Sequence, residues 1–372
     1  MDFQNQCGLK DKMKLNGSER ILIIKPSSLG DIIHALPLLH ELKTKFPSLK
    51  VSWLINKEYA PLLENHPLIE SLYLFDRHKW GKTRNVITTC REYWQLVKKI
   101  RAAQFDIIID LQGLLRSGVT SYLSGSVIRI GLSDAREGSS FFYTERIRVH
   151  DKKRHAVDRY KMIGSLLGIP SGQPVKFPLK FLEEDVNMIT DFLSKNSLST
   201  SELVIAVNPN ARWASKRWPA EKFGQLSDIL IEKFNGRIVF VGAPSEKDYV
   251  ESIIKGMRNK AVNAAGITTL PSLGVLLRKV HLFITNDSGP MHVGVAVDVP
   301  IVALFGPTDP EKTGPYGINN KTIYENGCVC RNPRRCKQPA CMEKISVQQA
   351  ASVCETVLKQ RARKIMLDNV GK

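Results

Sequence analysis

The chain has 372 residues, 43% hydrophobic and 24% charged, and its 54 Lys and Arg against 36 Asp and Glu give a net charge of +18. That length suits two α/β domains rather than one small core, and no apolar run is long enough to span a membrane. Residues 1–19 have no apolar core, so no signal peptide is expected; they read as a disordered leader, with Met13 as an alternative start. Seven cysteines without such a signal point to a reducing compartment. The positive charge favours an anionic partner: a phosphorylated substrate, an acidic membrane face or nucleic acid. No zinc-finger spacing, RNP-like aromatic motif or helix-turn-helix supports the last.

Arg20–Lys25 is a buried strand ending in Pro26-Ser27-Ser28-Leu29-Gly30-Asp31, and a helix follows to about Phe46, with Pro37 as a possible kink. Strands at Val51–Ile55 and Ser71–Phe75 continue a βα rhythm, with a loop and helix expected over 56–65 between them. The segment Asp76–Arg91 is basic and aromatic (Arg77, His78, Lys79, Trp80, Lys82, Arg84), either a solvated loop or a clamp for acidic groups; it leads into a helix over Tyr93–Arg101. Phe105–Asp110 and Val127–Ile130 are further strands, and Leu111–Ser117 and Gly131–Ser140 are loops on the edge where open α/β sheets bind ligands. A helix runs from His155 to about Leu167, and Gly168–Pro178 reads as the inter-domain linker.

The rhythm then restarts. After a helix near Phe181–Lys195 come strands at Leu203–Val207 and Arg237–Val241, each entering a polar turn and a helix. The decisive stretch follows: the apolar run His281–Thr285, the turn Asn286-Asp287-Ser288-Gly289-Pro290, a short helix, and the strand Ile301–Phe305. A turn before a helix offers free N–H groups and the positive end of the helix dipole, which suits a phosphate, although an ordinary capped βα turn has the same sequence.

Five motifs occur in order: Lys25-Pro-Ser-Ser-Leu-Gly-Asp31, Lys216-Arg-Trp-Pro219, Gly242-Ala-Pro-Ser-Glu246, Asn286-Asp-Ser-Gly289 with His292, and Phe305-Gly-Pro-Thr-Asp-Pro310. Together they resemble the ADP-heptose:lipopolysaccharide heptosyltransferases, glycosyltransferase family 9, over about Arg20–Ile365. Asp110-Leu-Gln-Gly113, Asp134-Ala-Arg136 and His155-Ala-Val157 look most like heptosyltransferase I. The resemblance implies a GT-B architecture: two Rossmann-like, doubly wound lobes facing a cleft. The expected domains are an acceptor lobe at 20–175, a nucleotide-sugar lobe at 176–345, and a C-terminal helix at 346–372 packing back on the N-terminal lobe.

It also implies an inverting, metal-independent transferase with no cofactor, taking ADP-heptose as donor and Kdo-lipid A as acceptor. Such an enzyme would be cytoplasmic, in peripheral contact with the anionic inner membrane, and would bind no nucleic acid. Asp31 matches the catalytic base, with burial expected to raise its basicity. Lys216 matches the lysine that meets the leaving diphosphate. Asp287, Ser288, Gly289 and His292 match the nucleotide turn, Glu246 suits the ribose hydroxyls, and Arg212, a further expected donor contact, stands with Ala211 where the heptosyltransferase I pattern has a pair of threonines. Ser28 and Gly30 in the first turn, with Arg77, Lys79, Lys82, Arg116 and Arg136, are the expected acceptor contacts. Cys328, Cys330, Cys336 and Cys341 resemble a cysteine-rich loop of heptosyltransferase II; their spacing fits no usual C-x2-C pair, so reduced thiols are expected over a metal site. The rivals are a sibling transferase with another donor or acceptor, a dehydrogenase, which lacks its G-x-G-x-x-G turn, and a basic nucleic-acid-binding protein.

Overall fold

The computed structural model describes residues 13, 15–76, 86–199, 202–325, 336 and 340–370, with side chains to residue 362. The chain forms two compact units, Met1–Lys180 and Phe181–Lys372.

The first unit contains β1 (Arg20–Ile24), α1 (Leu29–Lys45), β2 (Lys50–Asn56), β3 (Ser71–Phe75), α2 (Val86–Ala102), β4 (Ile107–Asp110), α3 (Leu115–Leu123), β5 (Ile128–Leu132), β6 (Glu145–Ile147) and α4 (Ala156–Leu166). Its sheet is parallel throughout, in the order β3-β2-β1-β4-β5-β6. A parallel sheet is covered on both faces, so its central strands are unbroken apolar runs instead of alternating ones; Ile21 to Ile24 and Ile107 to Ile109 are buried accordingly. The helix α1 continues through Pro37 and buries Ile32, Ile33, Leu36, Leu39 and Leu42. Lys57–Leu62 is a short 3-10 turn where a longer helix was expected, and α2 begins seven residues before Tyr93, at Val86.

The second unit opens with α5 (Glu183–Lys195). It continues through β7 (Val204–Asn208), α6 (Ala220–Phe234), β8 (Arg237–Phe240), α7 (Lys247–Lys255), β9 (Val262–Asn263), α8 (Leu270–Lys279), β10 (Leu282–Asn286), α9 (Gly289–Ala296), β11 (Ile301–Phe305), α10 (Pro310–Thr313), β12 (Lys321–Tyr324), α11 (Ala340–Lys344) and α12 (Val347–Val370). The sheet order is β12-β11-β10-β7-β8-β9. Counted from its own first strand, this is the same doubly wound order as in the first unit, with every described pairing parallel.

The expected boundary between the units needs adjustment. The stretch after Gly168 packs on the first unit: His66 Nε2 lies 3.0 Å from the Pro178 carbonyl, and Lys161 Nζ donates to Gln173 O at 3.1 Å. The division therefore falls after Lys180 and not after residue 175. In the C-terminal helix Val347, Ala350, Cys354, Val357 and Leu358, spaced as one helical stripe, join the core of the second unit with Trp218, Phe223 and Leu230.

Candidate active site

In each unit the strand order reverses beside its first strand, between β1 and β4 and between β7 and β10. Ligands of open α/β sheets bind outside the carboxyl ends of strands at such a point. Both crevice floors are laced across by hydrogen bonds.

In the first unit, Asp31 is the third residue of α1. Its Oδ2 accepts from the Ser28 backbone N–H at 3.0 Å and the Ser28 hydroxyl at 2.8 Å, so it caps the helix and presents a carboxylate together. Its Oδ1 accepts from the Tyr160 hydroxyl at 3.4 Å and lies 3.8 Å from Lys25 Nζ. The expected burial of Asp31 is not found: the side chain is 36% exposed. An ammonium and donated hydrogen bonds surround the carboxylate, so its setting is polar where a partly dry one was expected.

Lys25 received no role from the sequence, where it closes an apolar strand. It is 3% exposed, donates to Leu111 O across the crevice at 3.0 Å, and sits 5.3 Å from the Tyr160 ring centroid. Burial pulls its ammonium pKa down, but Asp31, Tyr160 and Asp110 outweigh that and hold it above the usual lysine range. Asp110, at the end of β4, is also buried. It accepts from the Gln112 and Gly113 N–H groups at 2.9 and 3.1 Å and from the Tyr143 hydroxyl at 2.7 Å. Burial raises its pKa despite those bonds, and burial with the Asp110 charge raises that of Tyr143. Gly113 has φ +62°, the left-handed region that suits glycine. Its carbonyl accepts from Arg136 N–H at 2.9 Å, tying the β4 and β5 loops together, and Gln112 Oε1 accepts from Ser27 N–H at 3.3 Å.

Of the expected acceptor contacts, Ser28 adjoins Asp31, while Gly30 is buried in the first turn of α1. Arg116 is exposed and stacks 5.3 Å from the Phe75 ring centroid, and Arg136 is exposed on its loop. Arg77, Lys79 and Lys82 lie outside the described residues.

The second unit joins β7 and β10 more densely. Asn286 accepts from Trp218 N–H at 3.0 Å and donates to Pro209 O at 2.8 Å, fixing both ends of the loop that carries Lys216. Lys216 Nζ donates to Asp287 Oδ2, which also accepts from the Thr308 hydroxyl. The two side chains of this ion pair are 17% and 8% exposed. Asn208 Nδ2 donates to Ser288 Oγ at 3.1 Å, setting the residue that precedes α9. With Pro290 lacking an N–H, Ser288 and Gly289 are the backbone donors left at that turn.

Glu246 caps its own turn, accepting from Ala243 N–H at 2.8 Å. His292 is buried within α9, and Arg212 is exposed, 5.5 Å from the Trp213 ring centroid. The sequence reading missed Lys25, Tyr160 and Thr308. Thr308 and Lys25 carried a signal, since they stand in the quoted motifs Phe305–Pro310 and Lys25–Asp31. Cys328 and Cys330 lie outside the described residues; Cys341 is buried, and a side chain at Gly306 would meet its Sγ at 2.8 Å. Among the described residues no group of three or more His, Cys, Asp or Glu is placed to hold a metal ion.

A fold of two parallel six-stranded α/β units, each with polar residues laced across its switch point, is that of a GT-B glycosyltransferase. Residues 93–342 match glycosyltransferase family 9 (heptosyltransferase), and the chain belongs to that family. Lipopolysaccharide heptosyltransferase 1 of Escherichia coli (strain K12) is 26% identical over 340 residues, covering 88% of this chain and 99% of that protein. Heptosyltransferase 3 of the same strain is 26% identical over 289 residues, covering 75% and 80%. Among solved structures, a family 9 glycosyl transferase from Veillonella parvula aligns with TM-score 0.79 and 27% identity, covering 92% of this chain and 97% of that one. The E. coli heptosyltransferase WaaC with ADP aligns with TM-score 0.73 and 23% identity, covering 91% and 99%, a likeness of fold.

Proposed function

We propose that the protein transfers a heptose from ADP-heptose to the Kdo-containing inner core of lipopolysaccharide, on the cytoplasmic face of the inner membrane. The observation that carries this reading is the partly exposed Asp31 carboxylate beside the β1–β4 crevice, in a chain of the heptosyltransferase family. The relative solved with ADP supports the nucleotide of the donor.

An acceptor hydroxyl attacks the anomeric carbon, its proton passes to Asp31, and the bond to the diphosphate breaks with the electron pair leaving on ADP. One displacement without a covalent intermediate inverts the anomeric centre. Lys216 and the N-terminus of α9 meet the growing charge on the diphosphate, so the reaction needs no bound metal. Asp287 and Thr308 hold Lys216 in place until the diphosphate arrives. Glu246 is assigned to the ribose hydroxyls through the oxygen that does not cap Ala243. Arg116 and Arg136 are assigned to acidic groups of the acceptor.

Incubation with ADP-heptose and Kdo2-lipid A, read by mass, should show one added heptose. Asp31→Ala should abolish transfer while leaving ADP binding nearly intact, and undiminished turnover would remove Asp31 as the base. The equal identity to heptosyltransferases 1 and 3 favours a second reading, a sibling acting on a more complete core. Transfer only to an already heptosylated acceptor would select it.

A further inference from the structure

The outer face of α2 has no part in either crevice. Ile87, Arg91, Trp94, Lys98 and Arg101 follow one another at intervals of four, three, four and three residues, which places them in one stripe along the helix. The opposite side packs inward through Leu96, Val97 and Ile100, and Tyr93 anchors it to α3 by a 3.0 Å hydrogen bond to Thr120. The stripe itself lies open: Ile87 is 80% exposed and Trp94 is 52% exposed. Arg91, Lys98, Lys99 and Arg101 are exposed as well, and the helix's single acid, Glu92, is half-buried. Bulky apolar groups interleaved with cations form an interfacial pattern, in which the rings and aliphatic chains enter a headgroup layer and the cations meet its phosphates.

We propose that this stripe docks the protein on an anionic lipid bilayer. The charge selects that occupant. In a symmetric dimer through the same face, like-charged stripes would oppose one another. A nucleic acid would take up the cations but gain little from Ile87. The proposal deepens the function above, in which the acceptor is lipid-anchored, by naming the surface that meets the membrane.

The test is sedimentation of the full-length protein with phosphatidylglycerol vesicles, against phosphatidylcholine vesicles alone. Binding should occur with the first, weaken with salt, and shift Trp94 emission to the blue, a change absent in Trp94→Phe. The triple variant Arg91→Gln/Lys98→Gln/Arg101→Gln should lower partitioning by about a hundredfold, each cation near such a surface being worth about a factor of five. Ile87→Ser/Trp94→Ser should lower it by at least about tenfold. These exposed substitutions should leave circular dichroism unchanged. Wild-type protein that ignores phosphatidylglycerol, or variants that bind it undiminished, would overturn the proposal. So would variants whose loss appears instead in self-association or in binding of an RNA oligonucleotide. Vesicle binding through the stripe without heptose transfer would remove the function above and leave this surface standing; transfer without vesicle binding would do the reverse.

Discussion

The ion pair between Lys216 and Asp287 offers a quantitative test of how the second unit is built. Its side chains are 17% and 8% exposed, and the Thr308 hydroxyl is a further partner of the acid. Removing one member of a fully buried pair costs roughly 3–5 kcal/mol, because the other charge is left uncompensated. Lys216→Met leaves Asp287 with Thr308 alone, so we expect a loss of about 3 kcal/mol, at the lower end of that range. Asp287→Asn leaves an ammonium that is closer to solvent, and should cost about 2 kcal/mol. The double variant has no stranded charge and should also cost about 2 kcal/mol, not the sum of the two. Urea unfolding, with hydrogen exchange of the β7 and β10 amides as a local probe, measures each corner of the cycle. ADP titration adds a second reading: Lys216→Met should weaken binding by tenfold to a hundredfold, roughly one charge-assisted contact, whereas Asp287→Asn should not weaken it. Losses that add to within about 0.5 kcal/mol would show that the pair is not coupled.

Lys25 has its pKa raised in the folded state, so the stability it contributes is complete below the unfolded lysine pKa and is lost as pH rises through the higher folded value. Denaturation midpoints between about pH 9 and about pH 12 should therefore fall more steeply for the wild type than for Lys25→Met; parallel curves would refute that assignment. Gly131→Ala would place a Cβ 2.2 Å from the Tyr143 ring, whose hydroxyl holds Asp110. Overpacking together with the strained bond to a buried carboxyl should cost about 3 kcal/mol or more, against about 2 for Tyr143→Phe, measured by urea unfolding. Elemental analysis of the purified protein should find neither zinc nor iron, and a stoichiometric amount of either would refute the reading of the cysteine loop as reduced thiols.

The central strands could be read from the sequence because parallel strands covered on both faces are plain apolar runs, as at Ile21–Ile24 and Ile301–Phe305. The edge strands β6 and β12 escaped notice for the same reason: Glu145-Arg-Ile147 and Lys321-Thr-Ile-Tyr324 have a neighbour on one side only and are largely exposed. Asp31 stood out through its turn motif. Its surroundings did not, because Tyr160 arrives from 129 residues along the chain, a separation that local spacing cannot reveal. Lys25 opened a quoted motif but drew no role, since a lysine closing a strand usually reaches solvent. The Gly168–Pro178 segment carried the composition of a linker, and only its hydrogen bonds to His66 and Lys161 assign it to the first unit.

The packing of α12 bears on modularity. From Val347 to Leu358 the helix closes over Trp218, Phe223 and Leu230, and every member of that core cluster comes from the second unit. Phe181, at the start of that unit, fills the space left open at Gly274. A fragment beginning at Phe181 would therefore keep its own core and the Lys216–Asp287–Thr308 constellation. With this core drawn from the second half alone, ADP titration of such a fragment would test the proposed donor site apart from the half that carries Asp31.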